Sequence, residues 1–214
     1  MKNKLIYIVL LLPVMAFSQG RIIAHRGASS IAPENTMVAF QKAIETGADY
    51  IEFDLRCSAD DSLMVIHDET LDRTTSGAGK VEDHSYAQLK ELSAGYEAQF
   101  GSSFLSAKIP TLSEVLQFAR GKVKVCIDMK NVPEAKVISQ IEQAGMVDEV
   151  FLMSYNFDKL KRIESVARQF KTVLIKNLLT SIDIELAAEA GFFAVSGSWI
   201  SNPLLINKAY NKGL

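Results

Sequence analysis

Between Arg21 and Ser198 the chain alternates short apolar, β-branched runs with amphipathic segments, and this alternation constrains its fold more than any other feature. The runs are Arg21–Gly27, Tyr50–Leu55, Leu63–Asp68, Val123–Lys130, Glu149–Asn156, Lys171–Leu178 and Phe192–Ser198. Strands separated by helices imply a parallel sheet whose crossovers cover its outer face. Met37, Phe40 and Ile44 follow the 3.6-residue helical period, with Pro33 ahead of them and Gly47 as a stop. Thr111–Ala119 opens on Thr111 as N-cap, with Glu114 placed to complete a capping box. Pro133–Ala144 is closed by Gly145. The interval from Glu69 to Lys122 is the longest between strands and reads as loops over one end of a barrel. With no Gly/Ser linker or repeat, one α/β domain over residues 19–214 is expected.

The leader differs from the rest. Lys2 and Lys4 precede an apolar run from Leu5 to Phe17, and Ala16 and Ser18 stand at the −3 and −1 positions before Gln19. Residues 1–18 therefore read as a secretory signal peptide, which implies export to the periplasm or the exterior. The run is shorter than the roughly 20 residues a membrane-spanning helix needs, so no stable insertion is expected after cleavage. A formal net charge of −2 gives no broad basic surface for nucleic acid or anionic lipid. A phosphate-bearing ligand has to be met by a local cluster. Cys57 and Cys126 are expected on different faces of neighbouring strands, as small buried residues without a disulfide.

In Tyr50–Leu55 the period of two puts Glu52 and Asp54 on one face, with Ile51, Phe53 and Leu55 on the other. Two carboxylates pointing together repel unless a cation or proton intervenes, and Mg²⁺ or Ca²⁺ suits such oxygens. On this strand alone, a solvated face paired with Arg56 or a nearby lysine explains the pattern equally well. Three other runs change the balance. Ile22–Gly27 ends in His25-Arg26-Gly27, Met64–Asp68 ends in His67-Asp68, and Val125–Lys130 ends in Asp128 and Lys130. In a parallel barrel those ends meet at one rim, where active sites of this fold lie. Glu52, Asp54 and Asp128 are candidate metal ligands, and Arg26 and Lys130 candidate phosphate contacts. His25 and His67 form a candidate acid and base pair. His84, in a polar stretch, is expected at the surface.

His25-Arg26-Gly27, Pro33-Glu34-Asn35-Thr36, Ile51-Glu52-Phe53-Asp54, His67-Asp68 with Leu71-Asp72-Arg73-Thr74-Thr75, Ile109-Pro110-Thr111-Leu112 and Ile127-Asp128-Met129-Lys130 resemble, in order, the glycerophosphodiester phosphodiesterases. The resemblance covers roughly residues 21 to 156 and fades afterwards. It implies a (β/α)8 TIM-type barrel and hydrolysis of small-molecule glycerophosphodiesters to glycerol 3-phosphate and an alcohol. It also implies the two-histidine pair and a divalent ion held by the matched acids, with Glu34 as a support to the metal site.

Two departures stand out. The family usually has Glu where this chain has Asp128, which withdraws the carboxylate by about 1.5 Å. Seven strands are identified against the eight of a closed barrel, and the family's closing segments do not occur before Leu214. A truncated product, an incomplete gene model and a divergent member that closes differently all fit. The competing functional readings are a phosphodiesterase on a lysophospholipid or glycosyl phosphodiester, and a catalytically silent barrel fragment.

Overall fold

The computed structural model describes residues 20–197 and 202–214. The signal-peptide reading of residues 1–18 lies outside the described residues. Six parallel strands form the body of the sheet: β1 (Ile23–Ala24), β2 (Tyr50–Cys57), β4 (Lys124–Met129), β5 (Val150–Ser154), β6 (Lys171–Lys176) and β7 (Ala194–Gly197), adjacent in that order. Helices connect them: α1 (Met37–Glu45) between β1 and β2, α4 (Leu112–Ala119) before β4, and α5 (Glu134–Ala144), α6 (Phe157–Val166) and α7 (Ser181–Ala190) across the later crossovers. A last helix, α8 (Pro203–Asn211), follows β7. This is a TIM-type (β/α) barrel whose first and last described strands, β1 and β7, are not paired with each other.

The local signals act as the sequence implies. Thr36 caps α1 by accepting from the Ala39 N–H, and Thr111 with Glu114 forms the reciprocal capping box of α4. Gly145 ends α5 in the left-handed conformation. Ile51, Phe53 and Leu55 of β2 pack outward with Val125 and Ile127 of β4 against Phe40, Leu116, Val137 and Ile141 of the helices. The apolar alternation of each strand thus fills the layer between sheet and helices, and the other face of β2 is left to Glu52 and Asp54. Of the cysteines, Cys126 is buried and Cys57, at the end of β2, is half-buried; both are free. No helix of the described residues is long and apolar enough to cross a membrane.

One strand departs from expectation. β3 (Leu63–Val65) pairs antiparallel with β2, Leu55 facing Val65 and Cys57 facing Leu63. The run Leu63–Asp68 is therefore not a barrel strand. Only residues 58–62 separate it from β2, and a parallel crossover needs about a dozen residues or more. β3 instead opens an excursion from the C-terminal end of β2 that includes two short helices, α2 (Tyr86–Glu91) and α3 (Glu97–Phe100). Met64, Ile66, Leu71, Val81, Leu89, Ala94 and Ile109 give it a small core of its own. What reads as loops over the barrel end is thus a packed unit.

Candidate active site

Parallel pairing of β2 with β4 sets Asp54 beside Asp128 and Glu52 beside Cys126. Each of Glu52, Asp54 and Asp128 offers a carboxylate oxygen within 4.8 Å of the others, and all three are buried. The expected trio of acids is thus brought together. Arg26 and Lys130 lie against it: Lys130 Nζ is 3.0 Å from Asp54 Oδ1 and bonds to Asp128 Oδ2, and Arg26 Nε is 3.4 Å from Asp54 Oδ2. Arg56 does not pair with these acids. Its Nε donates to the His67 carbonyl at 2.7 Å. Lys130 does pair with Asp54 and Asp128, but all three acids are buried, so a solvated face does not explain them.

The His-Arg-Gly turn is shaped by its backbone. Arg26 takes φ +58 and Gly27 φ +79, so the Arg26 N–H turns inward and donates to Glu52 Oε2 at 2.8 Å. A Cβ on Gly27 would lie 2.8 Å from the Ala39 carbonyl carbon of α1, so only glycine allows this approach. Asn35, also at positive φ, donates from Nδ2 to Asp54 Oδ2 at 2.9 Å and accepts the Asp54 N–H at 3.2 Å.

Electrostatics mark the cluster as short of positive charge. Desolvation, then the Asp54 charge, push the Glu52 carboxyl up to about 8. Desolvation also raises Asp128, against the pull of Lys130. Asp54 is desolvated too, but Lys130 and the Asn35 hydrogen bond outweigh this and hold it low. Asp128 Oδ1 is buried with no hydrogen-bond partner. Three convergent carboxylates, two nearby cations and one orphaned oxygen fit a hard divalent ion. Among the described residues no other trio of potential ligands converges in this way.

Both expected histidines reach the site. His25 Nε2 is 3.9 Å from Glu52 Oε2. Desolvation and then the Arg26 charge lower its pKa. With 69% of its side chain exposed, both effects are weakened by solvent. His67 arrives from the excursion, its Nδ1 2.6 Å from Asp68 Oδ1. His84 sits half-exposed, donating from Nδ1 to the Lys80 carbonyl.

Sequence reasoning gave no role to Asp68, Arg73 or Asn35. Arg73 binds both Asp68 and Glu34, and Glu34 also takes Arg26 Nη1 at 2.9 Å. Glu34 therefore binds the two arginines directly and reaches the acids through Arg26. Arg73 and Asn35 occupy turn segments without periodicity, so only their place in the ordered motifs could have drawn attention to them.

A sequence model described as the glycerophosphoryl diester phosphodiesterase family matches residues 25–181. The chain is 39% identical over 161 residues to a glycerophosphodiester phosphodiesterase of Caldanaerobacter subterraneus subsp. tengcongensis, covering 72% of this chain and 65% of that protein. It is 40% identical over 148 residues to one of Bacillus altitudinis, covering 65% and 60%. The chain thus spans less than two thirds of the length of either relative. The crystal structure of a glycerophosphodiester phosphodiesterase from Agrobacterium tumefaciens superposes with a TM-score of 0.82 at 35% identity, over 92% of this chain and 84% of that one.

Proposed function

Because the chain belongs to the glycerophosphoryl diester phosphodiesterase family, we propose that it hydrolyses glycerophosphodiesters to glycerol 3-phosphate and an alcohol. The observation that carries this reading is the convergence of Glu52, Asp54 and Asp128 within 4.8 Å beside two cations. These three acids would hold Mg²⁺ or Ca²⁺, which supplies charge neutralisation at the phosphate when bound.

The chain's own groups supply the rest. Arg26 has Nη1 committed to Glu34 and Nε buried against Asp54, and offers Nη2 to a phosphate oxygen, while Lys130 adds a point charge. His25, its pKa lowered, is neutral near pH 7 and takes a proton from the attacking water. As the water oxygen bonds to phosphorus, the bond to the alcohol oxygen breaks. His67, held as the imidazolium with its Nδ1–H on Asp68, gives that oxygen its Nε2 proton and is left as the neutral ring. The positive and apolar leader supports export, placing this activity in the periplasm or outside the cell.

The test is release of glycerol 3-phosphate from glycerophosphocholine by the purified chain, with chelator, Mg²⁺ or Ca²⁺, beside His25→Ala. Metal-dependent release lost in the variant supports the reading. A folded chain that releases nothing with any metal sinks it. Lysophospholipid and glycosyl phosphodiester substrates then separate a different substrate from a silent fragment.

A further inference from the structure

Two of the groups used above, His67 and Arg26, stand on separate segments, yet an unbroken series of hydrogen bonds and ion pairs joins them. His67 Nδ1 lies 2.6 Å from Asp68 Oδ1. Asp68 is held far below the usual carboxylate range, chiefly by Arg73, so it is ionised and the imidazole Nδ1–H donates. Arg73 grips Asp68 through Nε to Oδ2 at 2.6 Å and Nη2 to Oδ1 at 3.0 Å. The same guanidinium grips Glu34 through Nη1 to Oε2 at 2.9 Å and Nη2 to Oε1 at 2.8 Å. Glu34 Oε1 also receives Arg26 Nη1 at 2.9 Å.

An arginine bidentate to two carboxylates is fixed in plane by four contacts, which no lysine could reproduce. Its surroundings add to the constraint. The Tyr96 ring lies 5.4 Å from the guanidinium carbon, and Tyr96 itself is tied to the Thr74 carbonyl through its N–H. A lone exposed bridge contributes about 0–1 kcal/mol, so stability alone is a weak reason for such an arrangement. Orientation is a better one. Arg56 holds the His67 backbone through its carbonyl but leaves the imidazole free to rotate; the contact that fixes the ring is Asp68.

We propose that Arg73 is a positioning residue for both ends of the site. Through Asp68 it fixes the His67 ring with Nδ1–H on the carboxylate, so that Nε2, bare in the neutral ring, is the nitrogen that takes up the proton later given to the leaving oxygen. Through Glu34 it holds the Arg26 guanidinium beside the acid cluster. Arg73 touches neither the acids nor the reacting atoms. The inference rests on the roles proposed above for His67 and Arg26, and its first readout does not depend on activity.

The chain has three histidines, so the ring nitrogens of His67 can be assigned by magnetic resonance on isotope-labelled protein, with His84→Gln and His25→Gln as references. Wild type is expected to carry the neutral His67 proton on Nδ1. Asp68→Asn and Arg73→Gln are expected to shift the ring toward a mixture of tautomers, with kcat lower on the order of 10²-fold in each. Arg73→Gln should also raise KM, through Arg26, whereas Asp68→Asn should leave KM in place. If Arg73→Gln does not fold, Arg73→Lys carries the test: it keeps the charge, lacks the double fork, and should also lose the tautomer preference. The proposal is overturned by a wild-type proton on Nε2, or by folded variants that keep the Nδ1–H tautomer unchanged. A ring locked by Arg73 in a protein that cleaves no phosphodiester would uphold the positioning and overturn the proposed function instead.

Discussion

Asn35 holds Asp54 at two points, through an amide N–H on the carboxylate at 2.9 Å and an amide oxygen on the backbone N–H at 3.2 Å. Both contacts are buried, and together they leave Asp54 Oδ1 facing Lys130. Asn35→Ala removes both and puts alanine at φ +57, where it is disfavoured. The expected cost is about 2 kcal/mol in urea unfolding. The Mg²⁺ concentration that half-stabilises the protein should rise about 10- to 100-fold. An unchanged metal titration in the folded variant would show that Asn35 is not organising the acids.

Glu52 gives the site a pH signature. Its folded pKa of about 8 stands above its ordinary 4.5, so the folded state binds the extra proton between those values. Its contribution to stability is therefore fully present below pH 4.5 and is lost as pH rises through 8. Asp54, shifted the other way, acts only below its ordinary 3.8; His25, lowered from 6.5, opposes the trend below that pH, but with its side chain largely exposed it is weaker than Glu52. In chelator, the melting temperature should fall from pH 5 to pH 8, and Glu52→Gln should flatten the slope. Added Mg²⁺ should stabilise most at the alkaline end. A slope that is the same in Glu52→Gln would place its origin elsewhere.

Gly27→Ala tests the turn that aims Arg26. The new Cβ would meet Ala39 of α1 at 2.8 Å, against backbone that cannot swing away, in a residue at φ +79. A loss of about 1–3 kcal/mol is expected from overpacking and strain. Because the Arg26 N–H on Glu52 depends on this turn, kcat should fall as well. Full activity and stability in this variant would mean that the turn relaxes without moving Arg26.

These residues also show which parts of the site are legible in sequence. Glu52 and Asp54 could be read because a strand's period of two puts them on one face, opposite Ile51, Phe53 and Leu55. The capping pair Thr111 and Glu114 could be read because its spacing is itself the geometry. Asp128 could be suspected only as a strand-end acid, since its register beside Asp54 is a property of the paired sheet. His67 lies near the rim, but on an antiparallel excursion that follows β3 and not at the end of a barrel strand. The five residues from Ser58 to Ser62 permit a hairpin and not a crossover, and that signal was in the sequence all along. Asn35, Asp68 and Arg73 form their bonds across 19, 1 and 39 positions, from turns without period, so no local pattern announces them.

Lys159 was equally invisible, and it yields the last prediction. It lies on α6 with 7% exposure, and its Nζ donates to the Lys130 carbonyl at 2.6 Å and the Val132 carbonyl at 3.2 Å. Burial lowers its pKa, so keeping this charge inside opposes folding. Lys159→Met removes that cost and keeps the volume, but strands two carbonyls in the segment that carries Lys130. Leaving a buried acceptor unmet costs about 1–3 kcal/mol, and here two are exposed to that penalty at once. The stranded carbonyls should outweigh the relief of the charge, giving a net loss of about 2 kcal/mol in urea unfolding. A looser Lys130 should raise KM more than it lowers kcat, since the role proposed for Lys130 is to meet the phosphate rather than the proton in flight. A Met variant as stable as wild type, with unchanged KM, would show that the segment holds Lys130 without the help of α6.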